Sequence, residues 1–206
     1  MTTIYLIRHG QASFGAESYD KLSPNGELQA ILLGQYFNQI LKEAPYVVAG
    51  SMQRHQQTAT LALAQCFPEV EFETDQAWNE FNHQQVFAQY EPRFNQPHLL
   101  TQDVENEINP RAYLAKIFEG AIGRWTGGEY HHEYDESWPH FKNRVESALQ
   151  NLCDELAKTK PRYAVVFTSG GVISVVAGKL LELNRNRTFA LNWAITNASM
   201  TNLRLV

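Results

Sequence analysis

The stretch "YAVVFTSGGVISVVAGKLLEL" (163–183) decides how the rest of the chain is read. It opens on six residues fit for a strand, breaks at Ser169-Gly170-Gly171, and resumes as an apolar helical pattern over 172–183. A short run that is apolar on both faces is what a strand buried on both sides requires. Strand, tight turn and helix together form half of a parallel-sheet unit, so the question is whether the chain repeats it.

Working outward, it does. "TIYLIR" (3–8) and "YVVAGS" (46–51) read as further buried strands. Each is followed by a helix, over 23–43 and from about Arg54 to Cys66, and a short strand "VEFET" (70–74) follows the second. Ser23 is suited to cap the first of these helices, with Pro24 at its first position. Leu28, Ile31, Leu32, Tyr36, Ile40 and Leu41 form its apolar stripe, expected to face the core. Trp138, Phe141, Val145, Leu149, Leu152 and Leu156 recur at helical spacing, and "MTNLRLV" (200–206) reads as a last strand. The alternation predicts an α/β fold, a three-layer α/β/α sandwich around a mainly parallel sheet. Residues at about 81–135 are less regular and rich in aromatics, and read as a cap-like insertion over one edge of a single domain.

Composition narrows the function. A net charge of −5 argues against nucleic acid, which needs a basic face to displace counterions. Two cysteines, Cys66 and Cys153, form neither a disulfide framework nor a CxxC metal motif, and His131-His132 lacks ligand partners at a recognisable spacing. No metal or other cofactor is expected. The N-terminus lacks a signal peptide's charged start, and no span has membrane length. The expected setting is reduced and cytoplasmic, without a membrane partner.

In parallel sheets ligands bind beyond the carboxyl ends of the strands. Three features fall there: Arg8-His9-Gly10, Ser51 to Arg54, and Ser169-Gly170-Gly171. A neutral imidazole is a competent nucleophile, and a guanidinium holds an anion by paired hydrogen bonds. Gly10 removes a Cβ that would crowd a ligand. Arg54 opens a helix, where anions are favoured, and the glycine pair precedes a helix start whose free N–H groups form an anion nest. Each feature alone is commonly structural. Their recurrence at one sheet edge points to a phosphate.

The ordered set "LIRHGQ" (6–11), "LSPNGELQA" (22–30), "SMQRHQQTA" (51–59), "WNEF" (78–81), "ESWPHFKNRV" (136–145) and "VVFTSGGVIS" (165–174) resembles the histidine phosphatase superfamily, the phosphoglycerate-mutase-like proteins. The resemblance implies that His9 attacks phosphorus and carries the phosphoryl group, with Arg8 and Arg54 on the phosphate oxygens. It makes Glu80 the acid that protonates the leaving oxygen, and Trp78 and Phe81 flank it with apolar surface. Ser169 and Gly170 would bind phosphate, and Gln11, at the end of "LIRHGQ", is an auxiliary candidate.

One position departs from the pattern. Where the family keeps a second catalytic histidine before the Gly-Gly, this chain has Ser169. Losing such a donor typically costs roughly 10²–10³ in rate. Three readings follow: Ser169 donates directly, another histidine compensates (His83 best placed, His131 and His132 more distant), or the protein binds phosphate compounds without turnover. The resemblance thus implies a phosphomonoesterase acting on a small phosphorylated metabolite, with a catalytically silent phospholigand-binding module as the alternative. A mutase is a weaker variant, because no second cationic cluster is evident. Aromatics of the middle segment, Phe87, Tyr90, Phe94, Tyr113, Phe118, Trp125, Tyr130 and Tyr134, are expected mostly to pack the cap; any at the pocket mouth would favour an aryl leaving group. The acidic surface is compatible with a homodimer.

Overall fold

The computed structural model describes residues 1–13 and 20–205, so Val206, the end of the last expected strand, lies outside the described residues. The described chain forms two compact units, Met1–Glu80 with Arg144–Val206, and Phe81–Asn143. In the first, strands β1 (Thr2–Arg8), β2 (Tyr46–Ala49), β3 (Glu73–Thr74), β4 (Tyr163–Thr168) and β5 (Met200–Leu205) make one sheet in the order β3-β2-β4-β1-β5. Pairings among β1 to β4 are parallel, and β5 is an antiparallel edge on β1. Helices α1 (Pro24–Ile40), α2 (Gln53–Leu63), α7 (Gly170–Leu180) and α8 (Arg185–Ala194) belong to the same unit. A longer helix, α6 (Trp138–Thr159), begins in the second unit and continues into the first.

Strand alternation explains why both faces need cover. Tyr5, Ile7, Val47, Ala49, Val165 and Phe167 join Leu33, Phe37, Ala59 and Ala62 of α1 and α2 in one buried cluster. Their alternates Ile4, Leu6, Val48, Ala164 and Val166 point the other way and are also buried. On α6, Val145, Leu149, Leu152 and Leu156 are buried, as their spacing requires. The result is the expected α/β architecture with a central, mostly parallel sheet.

Helix α1 starts as the sequence says, with Ser23 Oγ accepting the Gly26 N–H at 3.1 Å; at its end Leu41 is buried and Ile40 packs against the core as expected, but before that the buried face differs. Leu28, Leu32 and Tyr36 are 52%, 53% and 45% exposed, and the buried positions are Gly26, Ala30, Leu33, Gly34 and Phe37. Close approach selects the small residues. A Cβ on Gly34 would overlap the Ala62 carbonyl of α2, and one on Gly26 would overlap the Gln11 carbonyl. The sheet's last parallel strand is also shorter than "VEFET" suggests, with two residues in β3.

In the second unit the stretch without clear periodicity is helical: α3 (His83–Tyr90), α4 (Pro97–Asn106) and α5 (Pro110–Thr126), with short 3-10 turns. Asn82 and Asn109 cap α3 and α5, and Pro97 and Pro110 start their helices. Phe94, Trp125 and Tyr134 are buried, and Arg124 stacks over the Tyr130 ring at 4.0 Å while bonding Tyr134 Oη and Glu133 Oε2.

Candidate active site

The site is assembled where β1, β2 and β4 end, all within the first unit. Register places Arg8 opposite Thr168, and the His9 N–H donates to the Thr168 carbonyl at 2.9 Å. His9 and Ser169 therefore stand side by side one step beyond the two strands. The His9 carbonyl is held from the opposite flank by the Ala198 N–H and by Asn197 Nδ2, each at 3.2 Å. Ala198 sits at φ 55°, a left-handed conformation that costs a non-glycine residue energy. Neighbouring structure determines where His9 sits.

The His9 ring is oriented as well as placed. Nδ1 lies 2.6 Å from the Gly10 carbonyl, which can only accept, so Nδ1 carries the proton and Nε2 carries the lone pair. Arg54 Nε donates to that Nε2 at 3.2 Å. Burial, and after it the Arg54 charge, push the imidazole down to about 3, against a smaller opposing effect of the Gly10 bond. His9 is thus neutral, and its Nε2 lone pair accepts from the Arg54 guanidinium. Gly10 itself is required by backbone packing: a Cβ there would overlap the Gly26 carbonyl of α1, so its missing side chain makes room for a helix, whereas the sequence suggested a ligand.

Two arginines flank this ring. Arg54, buried at the second position of α2, gives Nη1 to Asp20 Oδ1 at 2.6 Å. Its backbone carbonyl accepts from Thr58 Oγ1 at 2.7 Å, and the same hydroxyl receives the Gly10 N–H at 3.1 Å, tying α2 to the end of β1. Arg8 donates through Nη1 to the Ile195 carbonyl just after α8. Gly170, at the start of α7, admits Arg8 and Asn192: a Cβ there would lie 3.6 Å from Arg8 Nε and would overlap Asn192 Oδ1.

Glu80 reaches the same place from the opposite direction. Its carboxylate accepts the Gly171 N–H at 2.9 Å, at the N-terminus of α7. The segment that carries it is clamped three ways. Thr168 Oγ1 donates to the Trp78 carbonyl at 2.6 Å. Asn79 exchanges bonds with Ser51, through Oδ1 at 2.7 Å and Nδ2 at 2.8 Å. Arg144 Nη1 donates to the Ala77 and Asn79 carbonyls at 2.9 and 3.0 Å.

At Ser169 the structure introduces a residue that sequence reasoning passed over. His55 Nε2 lies 2.6 Å from Ser169 Oγ, with both residues buried, and the His55 ring centroid is 5.6 Å from that of His9. Burial, followed by the nearby His9 imidazole and the Arg54 guanidinium, holds His55 well below the usual imidazole range. The signal was present in "SMQRHQQTA": an imidazole directly after Arg54, in the first turn of a helix expected to open onto the site. His83 lies in the second unit at the start of α3, its ring edge-on to Phe87. Gln11 is exposed, and its amide oxygen accepts from Ser23 Oγ and Asn25 Nδ2 at 3.0 and 3.1 Å, so this side chain braces the first turn of α1. His131 and His132 fall in a short 3-10 turn of the second unit. Among the described residues no cluster of His, Cys, Asp and Glu is arranged to hold a metal ion, and no helix is long and apolar enough to cross a membrane.

A neutral imidazole, two arginines, a carboxylate and a helix N-terminus are gathered at the carboxyl edge of the parallel sheet, the edge where ligands of α/β proteins bind. The chain belongs to the histidine phosphatase superfamily (branch 1), whose model matches residues 4–99 and 105–206. Membership supports phosphatase or mutase activity in general. No curated protein matches the chain. Among solved structures, it is similar to a phosphoserine phosphatase from Entamoeba histolytica in complex with phosphoserine, at 16% identity over 98% of this chain and 90% of that one, TM-score 0.63. It is also similar to a phosphoglycerate mutase from Bacillus anthracis, at 16% identity over 98% and 86%, TM-score 0.62. A mycobacterial glucosyl-3-phosphoglycerate phosphatase matches at 20% identity over 98% and 89%, TM-score 0.56. At these identities the likeness fixes the fold.

Proposed function

We propose that the protein is a phosphomonoesterase that passes the phosphoryl group of a small phosphorylated metabolite through His9 to water. The observation that carries this reading is the 2.6 Å contact of His9 Nδ1 with the Gly10 carbonyl, which commits the Nδ1 proton and leaves Nε2 its lone pair. In the first step Nε2 forms a bond to phosphorus as the ester P–O bond breaks. The Glu80 carboxylic acid gives its proton to the leaving oxygen. In the second step the Glu80 carboxylate takes a proton from water, the hydroxide oxygen bonds to phosphorus, and the P–N bond breaks to release inorganic phosphate.

Arg54 must turn its Nε from the His9 lone pair to the arriving phosphate oxygens. The incoming dianion offers a stronger acceptor than a ring nitrogen, so substrate binding itself uncovers the nucleophile. Arg8, Ser169 and the first N–H groups of α7 complete the cradle in this reading. A small phosphorylated molecule is the proposed partner, with neither nucleic acid nor a membrane involved, and a homodimer is compatible with the exposed surface.

The test is phosphate release from an aryl phosphate in metal-free buffer across mildly acidic to neutral pH, with His9→Ala alongside. Turnover that disappears in the variant is expected. Equal release by both proteins would refute the reading.

A further inference from the structure

The carboxyl end of β4 carries a serine where the resemblance implies a histidine, and the structure brings an imidazole to that serine from α2. The contact is short, 2.6 Å from His55 Nε2 to Ser169 Oγ, and fully enclosed. Room for the ring is built in: a Cβ on Gly50, at the end of β2, would overlap His55 Nδ1. Two backbone features thus place this pair, the missing Cβ of Gly50 and the register that sets Ser169 beside His9.

The direction of the bond decides what the pair can do. His55 Nδ1 is buried and has no hydrogen-bond partner. A proton on Nδ1 would be an orphaned buried N–H, the rarer and costlier kind of unsatisfied group. The proton therefore belongs on Nε2, which donates to Ser169 Oγ. That oxygen's own hydrogen is then directed away from His55, and a donor chain polarises each member in turn.

We infer that His55 and Ser169 act together in place of the second histidine: His55 Nε2–H donates to Ser169 Oγ, and Ser169 Oγ–H donates to an oxygen of the phosphoryl group transferred to His9. Ser169 is the catalytic residue of this pair and His55 the positioning residue. The inference rests on the phosphatase reading for its purpose. It adds to a serine already expected to donate a partner that the sequence did not point to, and it accounts for a serine at a point where charge develops.

The experiment uses orthovanadate, a mimic of the transferring phosphoryl group, and so needs no turnover. Ser169→Ala and His55→Leu are each expected to weaken vanadate binding by a similar factor, on the order of 10²-fold. The double variant should bind no worse than either single one, because the two residues form one chain. His55→Gln, whose side-chain amide can donate from the same place, should recover most of the affinity. Nitrogen NMR of the wild-type protein should find the His55 proton on Nε2. A proton on Nδ1, independent losses that multiply in the double variant, or wild-type affinity in His55→Leu would overturn the pair. So would a wild-type protein that fails to bind vanadate. Should His55→Leu not fold, the tautomer, Ser169→Ala and His55→Gln decide alone. Absence of wild-type turnover, with these results as expected, would remove the phosphatase reading and leave the pair standing as a phosphoryl-binding device.

Discussion

The ends of β1 and β4 lie side by side and are built on opposite plans. At β1 the imidazole belongs to the strand-end residue itself, and backbone on both sides fixes it: Thr168 and Ala198 hold its main chain, and Gly10 holds its ring. At β4 the strand-end residue is a serine, and the imidazole arrives from a helix more than a hundred positions away in sequence, the separation being 114 residues. The difference teaches that an imidazole can reach the same edge of a sheet either from the strand-end residue or from a neighbouring helix. The His9 ring is held through the carbonyl of the next residue in the chain, and the Ser169 hydroxyl by a side chain brought from α2.

The largest effect should come from the β1 end. His9→Ala is expected to lower phosphate release by at least roughly 10³-fold, with the fold kept by circular dichroism. A smaller loss would mean that the two ends share the nucleophilic work. Arg54→Gln should cost roughly 10²-fold in kcat/KM, because it removes the proposed phosphate donor together with the donor to His9 Nε2. An unchanged value would show Arg54 to be a partner of Asp20 alone.

Acid should act on both ends at once. Folded His9 resists protonation down to about 3, while an unfolded histidine takes its proton near 6.5. Stability is therefore complete above about pH 6.5 and falls as pH drops, by about 1.4 kcal/mol per pH unit for each such histidine. Urea midpoints should fall between about pH 7 and pH 5, and His9→Ala should flatten that slope relative to wild type. Equal slopes would contradict a neutral buried His9.

The glycines at the two ends give the smallest effects and the finest contrast. Gly10→Ala drives a methyl into the Gly26 backbone and should cost about 1–3 kcal/mol of unfolding free energy. Gly170→Ala meets the Asn192 side-chain amide, which can rotate away, and should cost less than about 1 kcal/mol. The reverse order in thermal unfolding would undo the contrast between main-chain and side-chain anchoring.

Much of this was legible in the chain. Strands such as Tyr163–Thr168 announce themselves because burial on both faces demands an unbroken apolar run. The strand-end arginine, histidine and glycines could be placed because a parallel sheet sends its carboxyl ends to one edge. Helix α1 misled, because the rule that large apolar residues face inward points Leu28 and Leu32 at the core, while close approach to the Gln11 and Ala62 carbonyls leaves room only for Gly26 and Gly34 on the buried face. His55 was overlooked because its importance is a matter of distance to Ser169, and no periodicity or spacing encodes a contact between α2 and the end of β4. Gly10 was assigned to a ligand when its neighbour is a helix backbone.

The most direct measurement of the central claim is covalent. Wild-type protein mixed rapidly with a radiolabelled aryl phosphate and quenched in base should carry label that is stable to alkali, lost in acid, and absent from His9→Ala. Label that persists in that variant, or turnover with no acid-labile label in the wild type, would contradict a phosphoryl group carried on His9.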